Sequence, residues 1–165
     1  MPKSLAQSFS KSSREAQRAV CIQAAAGGGY RDCAIGTRRI AVQRPKVQAA
    51  QLRLGVVTGA RGYAIAATLR SHDLASAFET VVSADDVAHS KPAPDCYLLA
   101  LQRMGLLAKD VVAFEDTEHG VAAATAAGLA CVAIPTEMSA GHDFSAATVT
   151  LPTMQDAVRW VLTQN

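Results

Sequence analysis

The sequence is poor in several features that would each fix its class. No run approaches the roughly 18 uninterrupted apolar residues of a membrane span, and the first residues hold no compact apolar stretch ending in a small-residue cleavage site. Membrane and secreted chains are therefore disfavoured, and a soluble, cytoplasmic protein is expected. The four cysteines, Cys21, Cys33, Cys96 and Cys131, are scattered, with no CxxC pair and no histidines at metal-site spacing. That excludes a disulfide framework and a zinc site and leaves buried or idle thiols in a reducing compartment. The triplet Gly27, Gly28 and Gly29 lacks the GxxxxGK[ST] frame of a nucleotide-phosphate loop and reads as a flexible linker. Aromatics are scarce where basic charge is dense: only Phe9 and Tyr30 accompany it in the first fifty residues, which disfavours nucleic-acid recognition by base stacking.

What is present divides near Ala50. Residues 1–50 carry nine basic residues against two acids, and the remainder seven basic against twelve acidic. A basic arm on an acidic domain marks a nucleic-acid-binding tail, a targeting segment or a stretch foreign to the fold. With 165 residues the chain is long enough for one ordinary domain. We therefore expect residues 1–50 as an atypical amino-terminal segment, disordered or foreign, and residues 51–165 as the core. Within 1–50 the pattern supports only a short helix in the apolar stretch Ala19 to Ala26 and a weak strand near Arg39 to Val42.

From Leu52 onward short apolar runs alternate with helix-length amphipathic segments, which is how a parallel sheet with helical crossovers is written. Expected strands are Leu54 to Val57, Thr80 to Ser83, Val111 to Phe114, Ala130 to Ile134 and Thr148 to Thr150. Between them lie a helix with Ile65 and Leu69 on one face and a helix opened by Pro92 and Pro94. The latter carries a stripe of Tyr97, Leu98, Leu101 and Met104 and exits at Gly105. A small-residue helix from about His119 to Ala127 stops at Gly128, and an amphipathic helix with Met154, Val158, Val161 and Leu162 closes the domain.

In an open parallel sheet the loops leaving the carboxyl ends of the strands converge on one crevice. Thr58 and Gly59 follow the first expected strand, Glu115 and Asp116 end another, and Lys91 lies on the loop that opens the proline-rich helix. A hydroxyl beside free N–H groups, one ammonium and two adjacent carboxylates are the parts for holding a phosphate beside a magnesium ion. Read singly, each residue has a plainer role: Thr58, Asp116 or Thr117 as a helix cap, Lys91 as a solvated surface lysine. His72, His89, His119 and His142 lack the mutual spacing of a ligand set and suit surface or capping roles.

Three segments in order carry a more specific signal. Leu54 to Gly59 is a strand ending in Thr58. Ser90-Lys91-Pro92-Ala93-Pro94-Asp95 is a lysine loop of the KPAPD type. Val111 to Gly128 is a strand ending in acidic residues and then a Gly- and Ala-rich helix. Together they resemble the second, third and fourth motifs of the haloacid dehalogenase superfamily, in particular its phosphoglycolate-phosphatase and beta-phosphoglucomutase-like branch, over about Leu52 to Asn165. The resemblance implies an α/β, Rossmann-like sheet in a three-layer α/β/α sandwich and a magnesium-dependent phosphoric monoester hydrolase acting on a small phosphorylated metabolite. It makes Thr58 and Gly59 the phosphate-binding group, Lys91 the residue that offsets charge on phosphoryl oxygens and nucleophile, and Glu115 and Asp116 the magnesium ligands.

The resemblance also shows what is missing. In that family an aspartate after the first strand attacks phosphorus, and a second, two residues on, protonates the leaving group. Before Asp73 this sequence has one aspartate, Asp32, in Arg31-Asp32-Cys33-Ala34-Ile35-Gly36-Thr37, with no aspartate two residues later and no apolar strand leading into it. The cap that the family inserts between its first and second motifs, and that supplies most of its selectivity, is absent too. The first strand of such a sheet is central, so the fold is expected to be incomplete at its amino-terminal side. Either Arg39 to Val42 or another amino-terminal segment fills the slot, or the strands close up, or edges stay unpaired. The leading reading is a phosphohydrolase core that binds phosphate and magnesium and is inactive alone. A non-catalytic phospholigand-binding or regulatory module, and a truncated gene fragment, stand beside it; substrate and oligomeric state are left open.

Overall fold

The computed structural model describes residues 19–22, positions 43, 45–47, 49 and 50, and residues 51–164. The triplet Gly27 to Gly29, Asp32, Cys33 and the strand expected over Arg39 to Val42 lie outside the described residues. The strands are β1 (Ala19–Ile22), β2 (Arg53–Val57), β3 (Thr80–Val82), β4 (Val111–Glu115), β5 (Ala130–Ala133) and β6 (Val149–Thr150). They form one parallel sheet in the order β3-β2-β1-β4-β5-β6. Helices α1 (Gly62–Ser71), α2 (Asp95–Met104), α3 (Glu118–Ala126) and α4 (Met154–Thr163) lie between and after them. This is the expected α/β sheet with flanking helices.

The central slot is filled by β1. Ala19 aligns with Arg53 on one side and Val111 on the other, and Ile22 with Val56 and Phe114. The apolar stretch starting at Ala19, expected as a short helix, therefore opens as a strand. A run this short has no periodicity that separates helix from strand. The facing edges of β2 and β4 offer it backbone partners on both sides, and Val20 and Ile22 are β-branched.

Burial on both faces explains the valine-rich strands. Side chains alternate along β4: Val112 and Phe114 join one cluster, Val111 and Ala113 the other. The first cluster packs under α1 and α4, with Ile65, Leu69, Ala157, Val158 and Val161. The second lies under α2 and α3, with Tyr97, Ala100, Leu101, Met104, Val121, Ala123 and Ala124. Leu98, expected on the buried stripe of α2, is 49% exposed. Steps of 100° place it well away from the face formed by Tyr97, Ala100, Leu101 and Met104. Gly105 ends α2 at φ 64° and Gly128 follows α3 at φ 83°, left-handed exits that glycine adopts at no steric cost. Among the described residues no helix is long and apolar enough to cross a membrane.

Candidate functional site

Strand order reverses at β1, so the crevice at the switch point opens between the loops that follow β2 and β4. Thr58 leaves β2 with its N–H donating to the Val82 carbonyl at 2.8 Å, and its buried hydroxyl oxygen accepts from the Ala60 N–H at 3.0 Å. It does not cap α1, whose N-cap is Arg61 without a side-chain bond. Gly59 beside it is exposed. The turn is braced by Asp85, which accepts from the Gly62 N–H at 2.8 Å and from Arg61 at 2.5 Å; the Gly62 bond first, then Arg61, holds its carboxyl below the usual carboxylate range.

Lys91 approaches from the loop before α2. Its Nζ donates to the Val57 carbonyl at 3.2 Å and to Glu115 Oε1 at 2.6 Å, with 8% of the side chain exposed. The ammonium also stands 5.1 Å from the centroid of the Tyr97 ring, within cation–π range. The Tyr97 hydroxyl, from inside α2, donates to the same Glu115 oxygen. Thus two of the residues singled out in the sequence, Lys91 and Glu115, meet directly, and Lys91 reaches the carbonyl adjoining a third, Thr58.

Glu115 is fully buried at the end of β4. Burial pushes its carboxyl above the ordinary range, against the opposing pull of Lys91 and the Tyr97 hydroxyl. Oε2 makes no hydrogen bond among the described residues. It lies against Gly120, where an added Cβ would fall 1.8 Å from it. Asp116 follows, half-buried. The capping role falls to Thr117, whose hydroxyl accepts from the Gly120 N–H at 3.1 Å and starts α3. His142 also has a capping role, its Nδ1 accepting from the Glu118 N–H.

Sequence reasoning missed Tyr97 and Gly120 as parts of the site. A tyrosine on a buried helix face needs a partner for its hydroxyl, and a glycine in the first turn of a helix must be justified by close packing; both signals were present. The buried thiols Cys96 and Cys131 are raised by desolvation and lie in the core beside the site.

For a divalent cation the described residues offer a carboxylate pair rather than a cage: among them no group of three or more His, Cys, Asp or Glu could hold a metal. Magnesium is commonly held by one or two carboxylates, with water and substrate phosphate completing its octahedron. Glu115 and Asp116, the former with a buried oxygen lacking a hydrogen bond, fit that kind of site.

A doubly wound parallel sheet with a lysine–carboxylate pair at its switch point defines a Rossmann-like α/β protein. The chain belongs to the haloacid dehalogenase-like hydrolases, whose family model matches residues 45–134. It is 42% identical over 115 residues to the protein CbbY of Rhodobacter capsulatus, covering 68% of this chain and 51% of that one. It is 48% identical over 80 residues to the fructose-1-phosphate phosphatase YqaB of Escherichia coli K12, covering 48% and 42%. The crystal structure of CbbY from Rhodobacter sphaeroides in complex with phosphate superposes with a TM-score of 0.66 at 27% identity, over 75% of this chain and 60% of that one. A point mutant of that protein has also been crystallised with xylulose-(1,5)bisphosphate. The chain spans about half the length of these curated relatives.

Proposed function

We propose that the described domain is the phosphate- and magnesium-binding core of a phosphatase or phosphomutase of this family, taking a small phosphorylated metabolite. The observation that carries this reading is the Lys91 ammonium, fixed between Glu115 and the Val57 carbonyl at the switch point, next to Thr58. Thr58 and the Gly59 backbone N–H bind phosphoryl oxygens, and Lys91 offsets their charge. Glu115 and Asp116 hold Mg2+, which when bound neutralises charge on the phosphoryl group. The phosphate and sugar-bisphosphate complexes of CbbY from Rhodobacter sphaeroides support a phosphorylated sugar as the ligand class.

A second reading is a non-catalytic phospholigand-binding module. One observation favours it: β1 occupies the central slot, and the residues that follow it in sequence, Gln23, Ala24, Ala25 and Ala26, supply no carboxylate where the reaction needs a nucleophile. On either reading the domain binds phosphate and does not turn over by itself.

The test is hydrolysis of an aryl phosphate by purified protein with and without magnesium, beside Asp32→Ala and the double variant Glu115→Ala with Asp116→Ala. No turnover together with measurable phosphate binding is the expected result. Magnesium-dependent turnover abolished by Asp32→Ala would make Asp32 the nucleophile and overturn the claim of inactivity. Turnover that survives Asp32→Ala but is lost in the double variant would require a different nucleophile.

A further inference from the structure

The Tyr97 hydroxyl is an expensive group to bury in the middle of a helix face that otherwise presents Cys96, Ala100, Leu101 and Met104. Tyr97 is fully buried, and its hydroxyl crosses to the far strand end to donate to Glu115 Oε1. Lys91 Nζ donates to that same oxygen while standing over the Tyr97 ring. One tyrosine therefore touches both members of the ion pair: the hydroxyl holds the carboxylate and the ring face borders the ammonium. The other oxygen of the carboxylate, Oε2, lies against Gly120. With Tyr97 removed from Oε1, Lys91 would be the sole hydrogen-bond donor to that oxygen among the described residues, and the ammonium would be drawn more tightly onto Glu115.

We infer that Tyr97 is a positioning residue for the phosphate site: by sharing Glu115 Oε1 with Lys91, its hydroxyl keeps the ammonium placed to receive a phosphoryl oxygen. The inference rests on the reading of Lys91 as the phosphate-binding cation, and the experiment separates the two. Tyr97→Phe keeps the ring, and with it the core packing and the aromatic face under Lys91, and deletes only the hydroxyl. The side-chain ammonium resonance of Lys91 is followed by proton–nitrogen NMR in the wild type, in Tyr97→Phe and in Val121→Ala. The last shortens a buried valine of α3, which lowers stability while its apolar side chain forms neither a hydrogen bond nor an ion pair with Glu115 or Lys91. Inorganic phosphate is titrated into each.

Tyr97→Phe is expected to shift the Lys91 resonance and weaken phosphate binding at least about 10-fold, in keeping with the loss of one hydrogen bond to a charged group. Val121→Ala is expected to leave both readouts unchanged while lowering the melting temperature. A Lys91 resonance identical in wild type and Tyr97→Phe overturns the inference. So does an equal response in Val121→Ala, which would make Tyr97 a packing residue. If the wild type takes up no phosphate, the phosphate reading fails, and the Lys91 resonance alone decides whether Tyr97 positions the ion pair.

Discussion

The two faces of the sheet are packed by different rules. Under α1 and α4 the core is made of large aliphatic and aromatic side chains, Ile65, Leu69, Leu74, Phe78, Phe114 and Val158 among them. Under α2 and α3 it is dominated by small ones, with Ala100, Ala113, Ala123, Ala124, Ala127 and Ala133. The small residues let α2 and α3 approach the strand ends closely enough to enclose a carboxylate, an ammonium and a tyrosine hydroxyl in contact. Among the described residues the large-residue face buries no charged side chain. Among the described residues it has a small pocket lined by Val20, Gln43, Val47, Leu54, Phe114 and Val158, and the buried amide oxygen of Gln43 has no hydrogen-bond partner there.

Substitutions on each face sharpen this contrast. The largest effect is expected at Lys91→Met, which strands Glu115 as a buried carboxylate without its ion partner. Loss of one member of such a pair costs about 3–5 kcal/mol, against about 1 kcal/mol for Ile65→Val on the opposite face; urea unfolding of both variants gives the comparison. Gly120→Ala comes next. Helix propensity alone would make it stabilising by about 1 kcal/mol, but the new Cβ would collide with the Glu115 carboxylate. A net loss of about 1–3 kcal/mol is expected, as for overpacking, with a parallel loss of phosphate binding. A net gain would show that the carboxylate moves aside freely.

Smaller effects follow at the rim of the site and on the far face. Asp86 accepts from the Ser83 hydroxyl at 2.6 Å and from Arg103 of α2 at 2.7 Å. The Ser83 hydroxyl, then Arg103 and the Ser83 N–H, lower its carboxyl from 3.8 to about 2. Because the folded value is depressed, this contribution is present above pH 3.8 and lost as pH falls toward 2. The group is largely exposed and solvent-screened, so Asp86→Asn should cost about 1 kcal/mol at pH 6 and progressively less below pH 3.8, read from urea midpoints across that range. Gln43→Leu should act in the opposite direction. Removing a buried amide whose oxygen has no hydrogen-bond partner among the described residues is expected to raise stability by about 1 kcal/mol.

The same contrast explains what could be read from the sequence. The placement of Thr58, Lys91, Glu115 and Asp116 was legible because each stands at a strand end or loop whose position follows from alternating apolar runs. Their proximity follows from parallel topology alone. Tyr97 was assigned only to the buried stripe of α2, because helical periodicity reports which face a residue is on and not what its hydroxyl reaches across the core. Gly120 was hidden among small residues for the same reason: its need for space is set by Glu115 on another element. Strand β1 was missed because Ala19-Val20-Cys21-Ile22 is too short to show a period, and what makes it a strand is the pair of open edges on β2 and β4.

The most direct test of the account is calorimetric titration of inorganic phosphate, with and without magnesium, into the wild type and Lys91→Met, with Gln43→Leu as a control from the opposite face. Binding strengthened by magnesium, abolished in Lys91→Met and unchanged in Gln43→Leu is the predicted result. Phosphate binding that is equal in wild type and a folded Lys91→Met would contradict it, because the crevice at the switch point would then not be where the anion is held.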